Sequence, residues 1–321
     1  MNSLLNLKMN AMLKNLLYGI LLFGALFSCS TGDDDDVFAT EDMIDWYEVK
    51  DKPGKVNQLL YDIYKNDKLT IFINDTISRE ETVDHFGNPL VNLELFDIGY
   101  YVFSTDSRVS IQVSSDSTAM LKALKAIREK VIPYLPERGD CRPHSILLLD
   151  SISRLYDFTK GKFLWAEIPM YQKSIKGISV GRVKQLPEMD DEEIDIWARR
   201  ILGGKSASWI KENCEEYEEF EKKTNEGRSS GSYYNINVNY TTKDVPETYG
   251  FLEWYCKFDS EKKYKTPSLE DDMVEYIAYV YAYRGREEAF KEKYAEYNKV
   301  LEKFIMMKAM VEKYERAQGI Q

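Results

Sequence analysis

The alternation of apolar and polar positions predicts an α+β fold, with strands mainly in the first half of the chain and helices mainly in the second. Short apolar runs typical of strands recur up to residue 183, and the uninterrupted run 146–149 is suited to a buried central strand. In the second half, tyrosines and aliphatic residues alternate with asparagines over 234–240, which predicts a half-buried strand. The other predicted strands cover 69–73, 100–103, 109–113, 163–168 and 175–183.

Apolar residues spaced three and four apart predict the helices. One begins at an N-cap formed by Asp116 or Ser117 and stops at Pro133. Another begins with a capping box made by Ser268 and Asp271. The last carries an apolar stripe that predicts packing against the body of the domain. The predicted helices cover 56–64, 121–131, 268–283 and 290–314.

The N-terminal residues have the pattern of a secretory signal. Two lysines precede the mostly apolar stretch 16–27, and a small residue ends it. Cys29 directly follows Leu-Phe-Ser at 26–28, and this resembles the lipobox of bacterial lipoproteins, in which the thiol receives a lipid. We therefore predict a lipoprotein signal peptide over 1–28 and lipidation at Cys29. The alternative is a signal peptide that has a cysteine nearby by chance.

Residues 29–42 include four consecutive aspartates and predict a solvated acidic tether. Acidic residues soon after a lipidated cysteine also resemble the surface-export signal of some Gram-negative outer-membrane lipoproteins, and a plain hydrophilic spacer is the alternative. No later stretch approaches about 18 uninterrupted apolar residues, so the lipid is the predicted membrane attachment. Residues 43–321 contain no linker-like or repeated stretch and predict one domain.

Charge and cysteine content limit the partners. The chain of 321 residues has a formal net charge of −11, and so acidic a surface repels nucleic acid. Cys141, Cys214 and Cys256 have no zinc-finger spacing, and both one disulfide and three unpaired thiols remain open. The 23 tyrosines, 14 phenylalanines and 5 tryptophans predict an aromatic core, with a platform for sugar rings or peptide side chains as the alternative.

Catalytic motifs are sparse. The chain has only two histidines, His85 in a turn and His144 before a strand. So small a number excludes a histidine-rich metal site. Gly-Lys-Ser at 204–206 lacks the earlier glycine of a phosphate loop, because Arg199 stands there. No Gly-x-Ser-x-Gly elbow occurs, and spacing alone cannot locate a glycosidase pair of carboxylates. A calcium site is a further alternative. Its candidate ligands are Glu192, Glu193, Asp271, Asp272 and Glu275.

Four stretches, in order, resemble one family. Residues 121–134 and the following Pro-His-Ser-Ile-Leu-Leu-Leu-Asp-Ser at 143–151 resemble its helix and P-K-x-I-x-L-x-G-S strand. Gly-Phe-Leu-Glu-Trp-Tyr at 250–255 is similar to G-F-V-S-x-Y-A, and 271–278 is similar to the helix E-D-F-A-E-M-I-A. The family is the substrate import-associated zinc metallohydrolase lipoproteins, metallopeptidases linked to TonB-dependent import across Gram-negative outer membranes. The resemblance implies a single zincin-like (gluzincin-type) domain with a small mixed sheet in its N-terminal half.

The resemblance also implies that the zinc motif is missing. The family's His-Glu-Phe-Ala-His-Ile-Leu-His helix aligns with 196–203, where Ile196, Trp197 and Arg200 replace two zinc ligands and the general base. Ile196 has no donor atom, Trp197 cannot accept a proton, and Arg200 stays protonated and repels a cation. With the downstream acid Glu275, these residues form the predicted degenerate cleft, which has no catalytic residue, no metal and no cofactor.

Glu275 occupies the acidic position that lies near the metal in the family. We predict that the guanidinium of Arg200 replaces the cation and pairs with Glu275; the alternative is that each is exposed on its own helix. The resulting hypothesis is a non-catalytic, lipid-anchored outer-membrane protein with an accessory or binding role in TonB-dependent nutrient import. Its partners would be a transporter complex and a peptide or glycan. The alternatives are an active hydrolase, with relocated zinc ligands or paired carboxylates, and a purely structural interaction protein.

Overall fold

The structure is a computed structural model, and it describes residues 47–96, 98, 100–101, 104–105, 108–171, 177–240 and 245–320. All of them belong to one compact unit. The predicted signal peptide, the acidic tether and Cys29 lie outside the described residues. The fold is mixed α+β, with small sheets and with most of the helical residues in the C-terminal half, as predicted.

The long strand β7 organises the largest sheet. Its first residues pair in parallel with β1 and β10, and its later residues pair antiparallel with β6 and β8. Strand β9 pairs antiparallel with β10. The strands of this sheet are β1 (Thr70–Phe72), β6 (Val109–Val113), β7 (Ser145–Thr159), β8 (Lys162–Ile168), β9 (Met170–Tyr171) and β10 (Ile178–Val180).

The predicted central strand at 146–149 is confirmed, because β7 is flanked on both sides there. Alternate side chains point to opposite faces of a strand. Ile146 and Leu148 join the main core, while Leu147 and Leu149 join a smaller core on the other face. All four side chains are fully buried. This two-sided burial explains why the strand is a continuous apolar run without alternation.

Seven α-helices are described. They are α1 (Lys55–Asp67), α2 (Ser117–Lys130), α3 (Asp191–Asn213), α4 (Glu216–Asn225), α5 (Leu269–Ala282), α6 (Glu287–Lys293) and α7 (Asn298–Gln318). The predicted caps are confirmed for two of them. The Asp116 side chain accepts hydrogen bonds from the backbone of Thr118 and Ala119 at the start of α2, and Ser268 with Asp271 forms the capping box of α5.

Helices α3 and α5 pack with their backbones in contact, and this packing positions the site described below. A Cβ placed on Gly203 of α3 would lie 2.8 Å from the carbonyl oxygen of Val274 and 2.9 Å from its Cα. Only a glycine permits this approach. Because Arg200 is one turn before Gly203 and Glu275 follows Val274, the close approach brings those two side chains onto facing helix surfaces.

The predicted last helix is wrong in one respect, since it is two helices, α6 and α7, with a break at residues 294–297. The rings of Phe290 and Phe304 stack with their centroids 3.9 Å apart. In one straight helix these residues would be separated by about 21 Å along the axis. The apolar spacing therefore continues on both sides of the break. The chain folds back at the break, and this brings the two rings together.

Three strand predictions also need correction. The strand predicted over 175–183 is described only at Ile178–Val180, and a 3₁₀ helix, Val183–Glu188, follows it. Of the strand predicted over 100–103, Tyr100–Tyr101 (β4) is described and pairs with Ser104–Thr105 (β5), while 102–103 lie outside the described residues. The strand predicted over 234–240 is only Asn237–Asn239. That segment (β11) forms a three-stranded sheet with β12 (Cys256–Phe258) and β13 (Lys263–Lys265).

Candidate functional site

Arg200 and Glu275 form a bidentate ion pair between α3 and α5. Nε of Arg200 donates to Oε2 of Glu275 and Nη2 donates to Oε1, each at 2.7 Å. Arg200 is only 5% exposed. Two parallel N–H···O bonds to one carboxylate give the strongest and most directional form of this interaction. The predicted pairing of Arg200 with Glu275 is therefore confirmed.

A second carboxylate completes the partners of Arg200. Nη2 of Arg200 lies 2.8 Å from Oε1 of Glu253, and Nη1 of Arg182 lies 3.8 Å from the other oxygen of Glu253. Glu253 follows the 3₁₀ helix Pro246–Tyr249, in the segment where the family pattern G-F-V-S has serine. Sequence reasoning did not identify Glu253 or Arg182 as site residues.

Arg182 is held in an uncommon backbone conformation. Its φ is +64°, which is in the left-handed region that disfavours a side chain with a Cβ. Its backbone N–H donates to the carbonyl oxygen of Asp150 on β7, at 3.2 Å. The turn after β10 thus holds Arg182 in a strained backbone conformation, and its guanidinium lies beside Glu253.

The charges of the site stabilise one another. Burial opposes the charged form of Arg200, but Glu253 and Glu275 together raise its pKa well above the ordinary value. Burial raises the pKa of Glu275, and Arg200 counters that effect. Burial also raises the pKa of Glu253, but the attraction of Arg200 and Arg182 together lowers this pKa below its ordinary value. Two guanidiniums and two carboxylates therefore balance to no net charge.

These residues line a narrow cleft, which we call the Arg200 cleft. Its cavity volume is about 30 Å³, which is room for roughly two water molecules. The walls include Arg182, Arg200, Glu253, Trp254, Asp271 and Glu275. In this arrangement the cleft is filled mainly by its own side chains. A peptide or sugar could enter it only if those side chains moved.

Ile196 and Trp197, the other two residues of the predicted degenerate cleft, are in the main core and not in the lining of the Arg200 cleft. The indole Nε1 of Trp197 donates to the carbonyl oxygen of Gly181 at 2.9 Å. Because Gly181 precedes Arg182, this bond fixes α3 to the turn that carries Arg182. Trp197 therefore acts on the site through packing and one anchoring hydrogen bond.

The donor set at this position does not fit a zinc ion. Zinc requires imidazole, thiolate or free carboxylate ligands. Ile196 offers none, and the oxygens of Glu275 accept from Arg200, itself a cation. Within the described ranges, no group of three or more His, Cys, Asp or Glu side chains is arranged to hold a metal ion.

The two histidines lie elsewhere. His144 packs against Tyr47, with ring centroids 4.3 Å apart, and His85 packs against Phe86 in the turn at 84–88. The Asp84 side chain closes that turn by accepting the backbone N–H groups of Phe86 and Asn88. The predicted turn is therefore confirmed.

The five acids considered for calcium do not assemble, because each has a different partner. Glu192 accepts from Tyr283 and Lys293, and Glu193 caps its own helix. Asp271 belongs to the capping box with Ser268, and Glu275 pairs with Arg200. The fifth acid, Asp272, is part of a separate buried network.

That network centres on Lys303 of α7, which is fully buried. Its Nζ donates to Asp272 Oδ2 at 2.5 Å and to Thr224 Oγ1 and the Gly250 carbonyl oxygen at 2.7 Å. Three aromatic rings surround the ammonium, with centroids 4.3 to 5.2 Å away. They belong to Phe220, Phe251 and Tyr276. Since Asp272 also lines the Arg200 cleft, the network supports the wall of the cleft.

A continuous row of half-buried aromatic rings leads to the Arg200 cleft. The row is Tyr233, Tyr249, Trp254, Tyr264 and Tyr240, and successive centroids are 5.1, 5.8, 5.2 and 4.2 Å apart. Trp254 is both a member of the row and part of the cleft wall. Rings with partly exposed faces can stack on sugar rings or on flat peptide side chains.

A protruding hairpin exposes apolar side chains. Strands β2 (Thr76–Val83) and β3 (Pro89–Leu95) pair only with each other among the described strands. Phe86 at the tip is 78% exposed and Leu93 is 54% exposed. Val83, Leu90, Val91 and Leu95 are also exposed. Several exposed apolar residues on one small element are typical of a surface that contacts a partner.

Cys141, Cys214 and Cys256 are all free thiols. The sequence left both one disulfide and three unpaired thiols open, and the second alternative is confirmed. Over the described part of the chain, every helix is too short or too polar to cross a bilayer.

No protein-family model, no curated protein and no solved structure matches this chain.

Proposed function

We propose that this chain is a non-catalytic, lipid-anchored outer-membrane protein with a zinc-metallopeptidase-like scaffold, acting as an accessory or binding component of TonB-dependent nutrient import. The observation that carries the proposal is the bidentate contact of Arg200 with Glu275. In the resemblance, Arg200 aligns with a metal ligand of the family, and its guanidinium would thus take the place of the ion as the partner of the Glu275 carboxylate.

The chemistry of the neighbouring residues supports the same conclusion. A metallopeptidase needs an ion to polarise the substrate carbonyl and a base to activate water. Trp197 aligns with the base in the resemblance, and its indole N–H donates a hydrogen bond to the carbonyl oxygen of Gly181. All four carboxylates that line the cleft are engaged: Glu253 and Glu275 pair with Arg200, Asp271 belongs to a capping box and Asp272 pairs with Lys303. No residue at this position is left to hold zinc or to activate water.

Two surface features support a binding role. The aromatic row beside the Arg200 cleft has the character of a platform for a peptide or a glycan. The exposed hairpin offers apolar side chains to a protein partner, for which we propose the transporter. A lipid at Cys29 would hold the acidic body at the outer membrane, where such a transporter resides.

Metal content tests the non-catalytic part of the proposal. The full chain, purified in detergent, should carry no stoichiometric zinc when it is measured by inductively coupled plasma mass spectrometry. The variant Arg200→His, which places one imidazole beside the carboxylates Glu253 and Glu275, should bind zinc more tightly than the wild type. Trp197 is kept in this variant so that its anchoring hydrogen bond is retained. Stoichiometric zinc in the wild type, together with chelator-sensitive peptide hydrolysis, would refute the proposal.

Anchoring and partnership need separate measurements. Metabolic labelling with a radioactive fatty acid should mark the wild type and not the Cys29→Ala variant. Chemical cross-linking in outer membranes should recover a TonB-dependent transporter with the wild type. Recovery should fall with the hairpin variant Phe86→Ser/Leu93→Ser and should not change with Lys291→Gln, an exposed substitution on α6. If the wild type and both variants recover equal amounts of the transporter, the hairpin does not form the contact with it.

A further inference from the structure

A second, more open pocket lies along the N-terminal half of α3, and we call it the Arg199 pocket. Its cavity volume is about 390 Å³, compared with about 30 Å³ for the Arg200 cleft. Volumes of roughly 300 to 1,000 Å³ are usual for small-ligand sites. The walls include Lys130, Tyr134, Asp195, Arg199, Tyr281 and Arg286.

The central observation is an incompletely satisfied guanidinium. Arg199 is only 7% exposed, and its Nε donates to Oδ1 of Asp195 at 2.6 Å. Its Nη1 is buried and has no hydrogen-bond partner among the described residues. A buried donor of a charged group without an acceptor has a desolvation cost that no hydrogen bond offsets. An acceptor brought to this nitrogen would remove that cost.

Aromatic contacts orient the guanidinium but do not satisfy it. The Arg199 Cζ lies 4.9 Å from the ring centroid of Tyr134 and 5.9 Å from that of Tyr281. Arg284 stands over the same two rings, at 5.4 and 4.9 Å. Cation–π contacts fix the position of a cation and provide no acceptor for its N–H groups. The N–H groups of Arg199 Nη1 therefore stay without an acceptor in this arrangement.

Other cations of the pocket are also uncommitted. Lys130 and Arg286 make no ion pair with any described carboxylate, and Arg286 donates only to the backbone carbonyl of Ala282, at 3.0 and 3.1 Å. Arg284, in contrast, is paired with Glu315 at 2.7 Å. The pocket wall therefore carries the half-buried Lys130, the exposed Arg286, whose guanidinium also lies over the Tyr283 ring, and the buried Arg199.

The local charge selects the type of anion. Four cations (Lys130, Arg199, Arg284 and Arg286) and three carboxylates (Asp191, Glu192 and Asp195) line the pocket, which leaves a net charge of +1 in a chain of −11. A monoanion balances this charge. A phosphate dianion would meet repulsion from Asp191 and Asp195 on the same wall. The planar fork of arginine also matches a carboxylate.

We propose that the Arg199 pocket binds a small monocarboxylate ligand. Arg286 and Lys130 make the first contacts, and a rotation of the Arg199 side chain then brings Nη1 to one carboxylate oxygen. This site is separate from the Arg200 cleft, and the inference does not depend on the absence of catalysis there or on the import role.

The test uses a matched pair of probes with the purified full chain. N-acetylalanine carries the carboxylate, and N-acetylalanine amide is its neutral equivalent. Saturation-transfer NMR and isothermal titration should detect saturable binding of the first at millimolar concentrations and at least about tenfold weaker binding of the second, because a hydrogen bond to a charged group contributes about 1.5 to 3 kcal/mol. Inorganic phosphate should also bind more weakly than N-acetylalanine.

Variants place the binding in the pocket. Arg286→Gln is exposed and should keep the wild-type melting temperature while weakening N-acetylalanine binding about tenfold. Arg199→Lys keeps the charge but loses the planar fork, and it should weaken binding by a similar factor. Arg316→Gln, an exposed substitution outside the pocket, is the control and should leave binding unchanged. Equal binding of acid and amide, tighter binding of phosphate, or an unchanged affinity in Arg286→Gln would each overturn the proposal.

Discussion

The ammonium nitrogen of Lys303 lies 2.5 Å from Oδ2 of Asp272, and both side chains are closed to solvent. Tyr234 donates to the same carboxylate oxygen at 2.9 Å, and Thr224 and the Gly250 carbonyl complete the coordination of Lys303. Helices α4, α5 and α7 and the loop at Gly250 thus meet at one buried charge pair. Removing either partner would leave an uncompensated charge in the interior.

We expect the titration of Lys303 to make the free energy of unfolding depend on pH in the alkaline range. Burial outweighs the attraction of Asp272 and lowers the pKa of Lys303 from 10.5 to about 8. Between these two pH values the unfolded chain binds one more proton than the folded chain, so the free energy of unfolding rises with pH there. The contribution is at most about 3 kcal/mol.

The reference for this measurement is the double variant Lys303→Met/Asp272→Asn, which lacks both titrating groups. Urea unfolding from pH 7 to 10 should give a wild-type stability that increases relative to the double variant as the pH rises. Burial raises the pKa of Asp272, so that carboxyl contributes the opposite slope at lower pH. A constant difference between the two chains above pH 8 would show that Lys303 keeps an ordinary pKa.

The Arg200 ion pair leads to a prediction about stability. Arg200→Met should lower the free energy of unfolding by about 3 to 5 kcal/mol, because Glu275 would remain buried without its partner. Glu253→Gln removes the other carboxylate, whose side chain is 41% exposed, and should cost no more than about 1 kcal/mol. The double variant Arg200→Met/Glu275→Gln should recover part of the loss. Equal losses in Arg200→Met and Glu253→Gln would contradict this account.

The pairing of Arg200 with Glu275 could be predicted from the sequence because it depends on the order of recognisable segments. The resemblance aligns 196–203 with one helix of the family and 271–278 with a second, acidic one, and this order is enough to expect that the two side chains meet. Glu253 could not be predicted in the same way. It lies in an irregular loop, and only the three-dimensional path after Pro246–Tyr249 brings it to Arg200.

Periodicity could predict which residues are buried but not how an element bends. Lys303 lies beside the apolar stripe of α7 and has the pattern of a solvent-facing lysine, because nothing in the linear sequence places Asp272 opposite it. The fold-back between α6 and α7 was missed for a related reason. The spacing of Phe290 and Phe304 fits the period of one continuous helix. Their stacking is a long-range contact, which this spacing does not reveal.

Gly203 should tolerate no larger residue, because α3 and α5 touch at this point. Gly203→Ala would place a methyl group within 2.9 Å of the Val274 backbone, and overpacking of this kind costs about 1 to 3 kcal/mol. Ser208→Ala, on the exposed face of the same helix, is the control and should be neutral or slightly stabilising. The measurement is urea unfolding followed by circular dichroism. A stabilised Gly203→Ala chain would mean that the helices can separate without cost.

The hairpin should contribute to contacts with partners and not to folding. Leu93→Ser and Phe86→Ser remove exposed side chains and should each change the free energy of unfolding by less than about 0.5 kcal/mol. Ile152→Ala, on β7 in the smaller core of the largest sheet, should cost about 2 to 5 kcal/mol. Thermal and urea unfolding of the three variants give the comparison. A large loss in the hairpin variants would mean that these side chains are packed in the folded protein.

The three unpaired thiols should differ in reactivity with iodoacetamide. The thiolate is the reacting form, and burial raises the pKa of Cys256 to about 12 and raises those of Cys141 and Cys214 as well. Cys141 is partly exposed while the other two are buried. Peptide mass spectrometry after short labelling at pH 8 should therefore find Cys141 modified first and slowly, and Cys214 and Cys256 modified only in denaturant. Rapid labelling of Cys256 in buffer would show that strand β12 opens readily, which its burial against β8 and the neighbouring aromatic rings argues against.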